Sequence, residues 1–409
     1  MSTTDATVKP AVAVGSFQAG RVFSVAVCHL IHDIYSSFLF PLLPLLIEKL
    51  GITLAAAGAL STIMQLPALM NPILGSLVDR SKVKYFVITA PVLTAVPMCL
   101  LGLAPNYATV VVILVFAGFS THLFHVPAPV MVARLSGPKV GQGMSWFMTG
   151  GELARTLGPM VAVGAVAVFG LDGMYPVMLV GIFASVWLYF RLKDVPDNPS
   201  SAQKTPVIEA WRRMRRLIIP LASILALQAM VYACMVTFLP TFIEQQTGSL
   251  ALAGTGLSLL EACGVAGVFL AGSLSDRIGR PRMLMIMVTL APASLAVFVL
   301  GTHWLRIAAL VVTGFSLLST TPVMLAMVQE HAGDIPSAAN GFFMMAIFLT
   351  RAIATIPVGY MGDLFGLTTS FLISAGLGTK GSRSLLKPMG PDPGPPPPWG
   401  VEKVLCRLN

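Results

Sequence analysis

Gly75-Ser76-Leu77-Val78-Asp79-Arg80-Ser81-Lys82 recurs 197 residues later as Gly272-Ser273-Leu274-Ser275-Asp276-Arg277-Ile278-Gly279-Arg280. Each copy closes a long apolar segment and opens a basic turn. A charged turn repeated between membrane-length segments points to a duplicated membrane bundle, the usual build of a secondary transporter.

The duplication extends beyond the turn. Pro44-Leu45-Leu46-Ile47-Glu48-Lys49 answers Pro240-Thr241-Phe242-Ile243-Glu244-Gln245, and Thr53 to Gly58 answers Ser249 to Gly254, both at offset 196. Gly143 and Pro159 answer Gly341 and Pro357 at offset 198. Repeats in the same sense are parallel repeats about an axis along the membrane normal.

Composition sets the solvent. Hydrophobic residues make up 56% of the 409, and charged residues 11%, against about 25% in soluble domains. Mean hydropathy is +0.82, so most of the chain faces lipid. The pI of 9.5 does not indicate nucleic acid, because the basic residues sit in short turns and form no solvated face. Five cysteines (28, 99, 234, 263 and 406) are scattered without metal or disulfide spacing and read as small core residues. Residues Met1 to Gly20 lack the features of a cleaved signal peptide.

Crossing a bilayer takes roughly 20 apolar residues as helix. The expected spans are 22–47, 53–77, 85–104, 107–133, 142–169, 174–191, 217–243, 251–275, 283–301, 304–329 and 338–362. A twelfth begins at Gly366, and its apolar run stops at Leu377, roughly 17 Å of helix and half a bilayer. The predicted fold is therefore an all-α integral membrane protein of two six-helix parallel repeats with a truncated twelfth helix. Its divisions are a cytoplasmic N-terminus (1–21), an N-terminal half (22–191), a cytoplasmic linker (192–216), a C-terminal half (217–377) and an atypical Pro-rich tail (378–409). The tail reads like another reading frame or a fusion scar.

Basic residues predict orientation. With the N-terminus inside, only Lys49 and Arg306 of the loop Lys and Arg before residue 378 fall outside. Both repeated turns are then cytoplasmic. In the linker, Trp211-Arg212-Arg213-Met214-Arg215-Arg216 is expected on the cytoplasmic face, with Trp in the interface and Arg on anionic headgroups.

These features resemble the major facilitator superfamily. The turn matches that family's motif of Gly, a few residues, Asp-Arg and a basic cluster between helices 2 and 3, echoed between 8 and 9. Gly75, Asp79 and Arg80 form the first copy, which lacks the Gly after Asp-Arg. Gly272, Asp276, Arg277, Gly279 and Arg280 form the fuller second copy. Within the superfamily, His29-Leu30-Ile31-His32-Asp33, Phe124-His125-Val126-Pro127, Gly150-Gly151 and Leu157-Gly158-Pro159 are similar to the fosmidomycin-resistance type of bacterial drug exporter. The resemblance implies that Asp79 holds the halves together by docking on the N-terminus of span 11. It also implies a twelve-helix fold, a small-molecule substrate and the bacterial inner membrane.

Polar groups inside spans cost about 2.5–3.5 kcal/mol each at midplane, so each needs a packing reason or a task. Asp33 lies near the middle of span 1, with His29 on the same helical face and His32 adjacent. A carboxylate in low dielectric can exchange protons near neutral pH, as a proton-coupled carrier requires; the alternative is a packing hydrogen bond. Glu152 and Arg155, spaced i, i+3, share a face and can neutralise each other. Arg155 could instead bind an anion or hold a carboxylate ionised. Gly150, Gly151, Ala154 and Gly158 allow close helix approach there. Glu261 in span 8 and Arg351 in span 11 have no local partner of opposite charge and are expected to pair with each other across helices, as gate, substrate pair or structural glue. His122 and His125 have spacing that can ligate a metal, but no Cys or carboxylate joins them locally, so a cavity wall or polar packing is expected and no metal site.

No nucleophile–base set, phosphate loop or zinc signature occurs, so the chain is not expected to be an enzyme. The expected function is secondary active transport, driven by a proton gradient with no cofactor. The leading reading is export of a small amphiphilic or anionic drug-like compound by a monomer. The alternatives are a proton-coupled uptake symporter for an organic acid or other nutrient, and a non-transporting membrane receptor or scaffold.

Overall fold

The computed structural model describes residues 16–71, 74, 83–195, 207–331 and 336–386. All regular structure among them is helical. The first span is α1 (Ala19–Ser36) and α2 (Leu39–Leu50), and the second begins with α3 (Leu54–Gln65) and a 3-10 turn to Met70. The third is α4 (Val83–Cys99), and the fourth is α5 (Tyr107–His125) followed by α6 (Pro127–Leu135). The fifth and sixth are α7 (Val140–Phe169) and α8 (Met178–Leu192). The C-terminal half repeats the order. The seventh span joins α9 (Val207–Tyr232), a π-helical turn (Ala233–Thr237) and α10 (Leu239–Thr247). It is followed by α11 (Leu250–Ile278), α12 (Arg280–Leu300), α13 (His303–His331) and α14 (Pro336–Leu386). Non-helical backbone at Gly366 divides α14 into the eleventh and twelfth spans.

Among the described residues, ten helices are long and apolar enough to cross a membrane, and Leu54–Met70 is a shorter apolar helix. The last of these, Gly341–Lys380, is interrupted by the non-helical backbone at Gly366. The last helix remains helical to Leu386, although its apolar character ends at Leu377. Residues 387–409 lie outside the described residues.

The repeat is written into local chemistry. After α2 the chain turns at Gly51 in left-handed backbone, and the Thr53 hydroxyl accepts from the Ala56 amide to cap α3. After α10 it turns at Gly248, also left-handed, and the Ser249 hydroxyl caps α11 through the Leu252 amide. The seventh span also starts earlier than its apolar part. Trp211 and the four arginines after it ride on the first turns of α9, where Glu209 and Arg213 pair at i, i+4.

Among the described residues, the two halves share one apolar core at one end, the fused end, and have a core each at the other, the separate end. One apolar cluster runs from Tyr35, Phe38 and Leu60 of the N-terminal half to Phe242, Phe298 and Phe371 of the C-terminal half. At the opposite end each half has its own core. One is built around Val22, Phe124, Phe147 and Leu188, the other around Met214, Leu221, Val323 and Phe343. At the fused end α3 lies against α14, and α7 against α11.

That contact depends on bare backbone. A Cβ at Gly58 would fall 2.5 Å from the Thr355 carbonyl oxygen, and one at Gly359 would fall 2.3 Å from that of Leu54. Thr62 Oγ1 donates to the Ala352 carbonyl at 2.6 Å. The Asp363 carboxylate accepts from the amides of Leu54 (2.7 Å) and Ala55 (2.9 Å) at the start of α3. An anion on a helix N-terminus is the favoured sign.

Candidate functional site

Asp33 sits on α1 one turn from His29, and α5 brings His125 to its other side. His29 Nε2 lies 3.2 Å from Asp33 Oδ2, His125 Nε2 3.1 Å from Asp33 Oδ1, and His32 Nε2 3.8 Å from Asp33 Oδ1. The side chains of His29 and His32 are 5% and 0% exposed, that of Asp33 12%, and that of His125 35%. His125 therefore forms the open side of the cluster.

The supporting shell settles which nitrogens face the carboxylate. His29 Nδ1 lies 2.8 Å from the Phe147 carbonyl oxygen, which can only accept, so Nδ1 carries the hydrogen. Thr94 Oγ1 donates to Ser120 Oγ at 2.7 Å, and Ser120 Oγ donates to the Ala90 carbonyl at 3.0 Å. Thr94 has thus spent its hydrogen and accepts from His32 Nδ1 at 3.1 Å. In the neutral rings both Nε2 lone pairs then point at a carboxylate. His29 Nε2, His32 Nε2 and Asp33 Oδ1 are buried without a well-aligned hydrogen-bond partner. Acceptors facing acceptors are unfavourable when buried, and a proton on the facing imidazole or on the carboxyl itself relieves each contact.

The rings are clamped as well. His29 stacks on Phe147 at 4.0 Å and His32 on Phe124 at 4.6 Å. Gly150 lets α7 approach α1 until a Cβ would be 2.3 Å from the Ala26 carbonyl oxygen, and a Cβ at Gly151 would be 2.6 Å from the His29 ring. The glycines singled out in the sequence hold the imidazole against the carboxylate.

A second charged group lies between the halves. Arg155 Nη2 of α7 is 2.9 Å from Glu261 Oε2 of α11, and its Nη1 is 3.6 Å from Glu152 Oε2 on its own helix. Both carboxylates are buried, while the Arg155 side chain keeps 32% exposure. The expected Glu261–Arg351 pair is not found. Glu261 is taken by Arg155 because α11 packs on α7. Arg351 instead lies over the Tyr232 ring, 4.1 Å from its centroid, and reaches Thr321 Oγ1 at 3.4 Å.

The charged-turn residues contribute less. Gly75, Asp79 and Arg80 lie outside the described residues, as does docking of Asp79 on span 11. Gly272 and Asp276 are on the last turns of α11, with side chains outside the described residues. Arg277 is exposed, Gly279 ends α11 with a φ of 91°, and Arg280 donates to Ser275 Oγ at 3.3 Å.

Comparison with known proteins agrees with this architecture. The Major Facilitator Superfamily profile matches residues 25–355.

The chain belongs to the Major Facilitator Superfamily.

This is a family of transporters, not enzymes, and its members bind small-molecule substrates. The fosmidomycin resistance protein of Escherichia coli K12 is 23% identical over 381 residues, spanning 90% of this chain and 93% of that one. Multidrug resistance protein MdtG of Proteus mirabilis HI4320 is 24% identical over 306 residues, covering 72% and 75%. A bacterial homolog of the human lysosomal transporter Spinster, solved inward-facing and unoccupied, superposes with a TM-score of 0.75 at 15% identity, over 92% of this chain and 100% of that one.

Sequence reading of this superfamily chain missed three kinds of participant. Phe147 and Ala90 act through backbone carbonyls, which no side-chain pattern reveals. Thr94, Ser120 and Tyr232 look like ordinary span residues until helices meet. Asp363 is the third kind: an acid after Gly362 at the end of a span carries a signal as a partner for a helix N-terminus. His122 parts from His125: its ring meets Phe348 edge-on at 5.3 Å, across the interface between halves.

Proposed function

We propose that the chain is a proton-coupled secondary transporter that exports a small amphiphilic or anionic organic compound by alternating access. The observation that carries this reading is the Arg155–Glu261 ion pair. It crosses between the halves at mid-span, next to a second carboxylate, Glu152, that competes for the same guanidinium. A buried pair spanning a moving interface must be remade when the halves rock, and a proton or an anionic substrate can supply the exchange. Asp33 with His29, His32 and His125 supplies the proton site. Arg351 over Tyr232 supplies a cation for an anionic group.

Orientation follows the basic residues, which place the N-terminus in the cytoplasm. The fused end is then external and the separate end faces the cytoplasm, where a substrate for export enters. The inner membrane of a bacterium is the proposed site, by analogy with the fosmidomycin resistance protein.

The test is reconstitution in liposomes with an imposed pH gradient, recording proton flux as candidate drugs and organic acids are added. Substrate moving against the proton flow supports export, and substrate moving with it indicates uptake. Absence of coupled flux with every compound would sink both. Asp33→Asn should abolish coupling while leaving substrate binding in place; unchanged flux would remove Asp33 from the role.

A further inference from the structure

We propose that His29, Asp33 and His125 form a binding site for a first-row transition-metal dication of the zinc class. The three residues offer one donor atom each, and these atoms lie within 4.8 Å of one another. A tetrahedral ion with bonds of about 2.0–2.1 Å sets its ligands about 3.3 Å apart. His29 Nε2 lies 3.2 Å from Asp33 Oδ2 and His125 Nε2 3.1 Å from Asp33 Oδ1, so each histidine is at that spacing from one oxygen of the carboxylate. An ion seated there draws the two imidazoles toward one another from donors that lie within 4.8 Å.

The supporting chemistry fits. The Phe147 carbonyl binds the hydrogen on His29 Nδ1, so the Nε2 lone pair faces the carboxylate. A carbonyl on the far nitrogen is the partner that orients metal-ligating histidines. His29 Nε2 and Asp33 Oδ1 are buried without a well-aligned partner, a state a metal ion relieves directly. Two neutral imidazoles and one carboxylate leave one positive charge and a fourth position, which water or an anionic group fills. His125, with 35% of its side chain exposed, gives the ion a way in. His32 Nε2 is the farthest of the three ring nitrogens from the carboxylate, at 3.8 Å, and His122 faces away.

The proposal stands on donor geometry and not on proton coupling. Zinc sulfate is titrated by calorimetry into the full chain in detergent, after removal of any polyhistidine tag, with Co2+ absorption as a spectroscopic probe. The expected result is one ion per chain. His29→Ala and His125→Ala should each lower affinity at least about tenfold, the minimum seen even for loss of a supporting residue. His122→Ala should bind like the parent. Asp33→Asn keeps the shape of the side chain and guards against misfolding: its metal-free unfolding temperature should match the parent while its Co2+ bands are lost. No binding, or binding that survives His29→Ala and His125→Ala unchanged, overturns the proposal. Zinc binding without coupled flux would defeat only the transport reading, and coupled flux without zinc binding would defeat only this one.

Discussion

Asp33 is held by His29 and His32 of its own helix and by His125 of α5, and residues of α4 and α7 hold those histidines, so its surroundings respond to substitutions far from it in sequence. Gly151→Ala is one such change. The added methyl would meet the His29 ring at 2.6 Å, too close for the ring to keep both its stack on Phe147 and its contact with Asp33. The expected outcome is a large loss of coupled flux with a small loss of thermal stability, read by liposome assay and by unfolding in detergent. Arg155 and Glu261 make a second test. Removing one partner of a buried ion pair costs roughly 3–5 kcal/mol, whereas replacing both with apolar residues is often neutral. Arg155→Met should fall at the low end, because the Arg155 side chain is 32% exposed. Adding Glu261→Met should restore most of the stability but not transport. If the two changes merely add, the pair carries no coupling.

At the scale of elements, α3 and α14 form the clasp between halves. Gly58 and Gly359 bring their backbones together, and Asp363 fastens the α3 N-terminus from the other half. An acid at a helix N-terminus is worth about 0.3–1 kcal/mol, a factor of about two to five in an equilibrium. Asp363→Asn should shift the protein away from the state in which this end is closed by that factor. Labelling of a cysteine placed at Ala55 by a membrane-impermeant reagent measures it, and an unchanged rate would show that Asp363 does not hold the clasp.

Among the described residues of the whole molecule, one apolar core is shared by both halves at one end and two separate cores lie at the other. Alternating access requires that the shared core part. In a chain cleared of native cysteines, Thr62→Cys with Ala352→Cys should form a disulfide across the clasp. Oxidation should stop transport and a reductant should restore it. Transport that continues with the disulfide formed would mean that α3 and α14 move as one body.

The amino-acid sequence by itself determined that this chain is a duplicated helical membrane protein. Span length, apolar runs and helix caps are local properties, and they are repeated at Thr53 and Ser249 and at Gly51 and Gly248. It also identified the charged residues that must be important, because burial in lipid is costly for each wherever its partner lies. Tertiary structure alone decided who that partner is. Glu261 and Arg351 are both buried charges, yet their association depends on which helix faces α11, and that is a property of packing between halves. The same holds for His125. Its spacing to His122 suggested a pair on one helix, but the donors that meet it, His29 and Asp33, come from a helix more than ninety residues earlier. Separation in sequence does not encode such proximity; the packing of α5 on α1 brings His125 to Asp33, and the close approach of α7 at Gly150 and Gly151 holds His29 there.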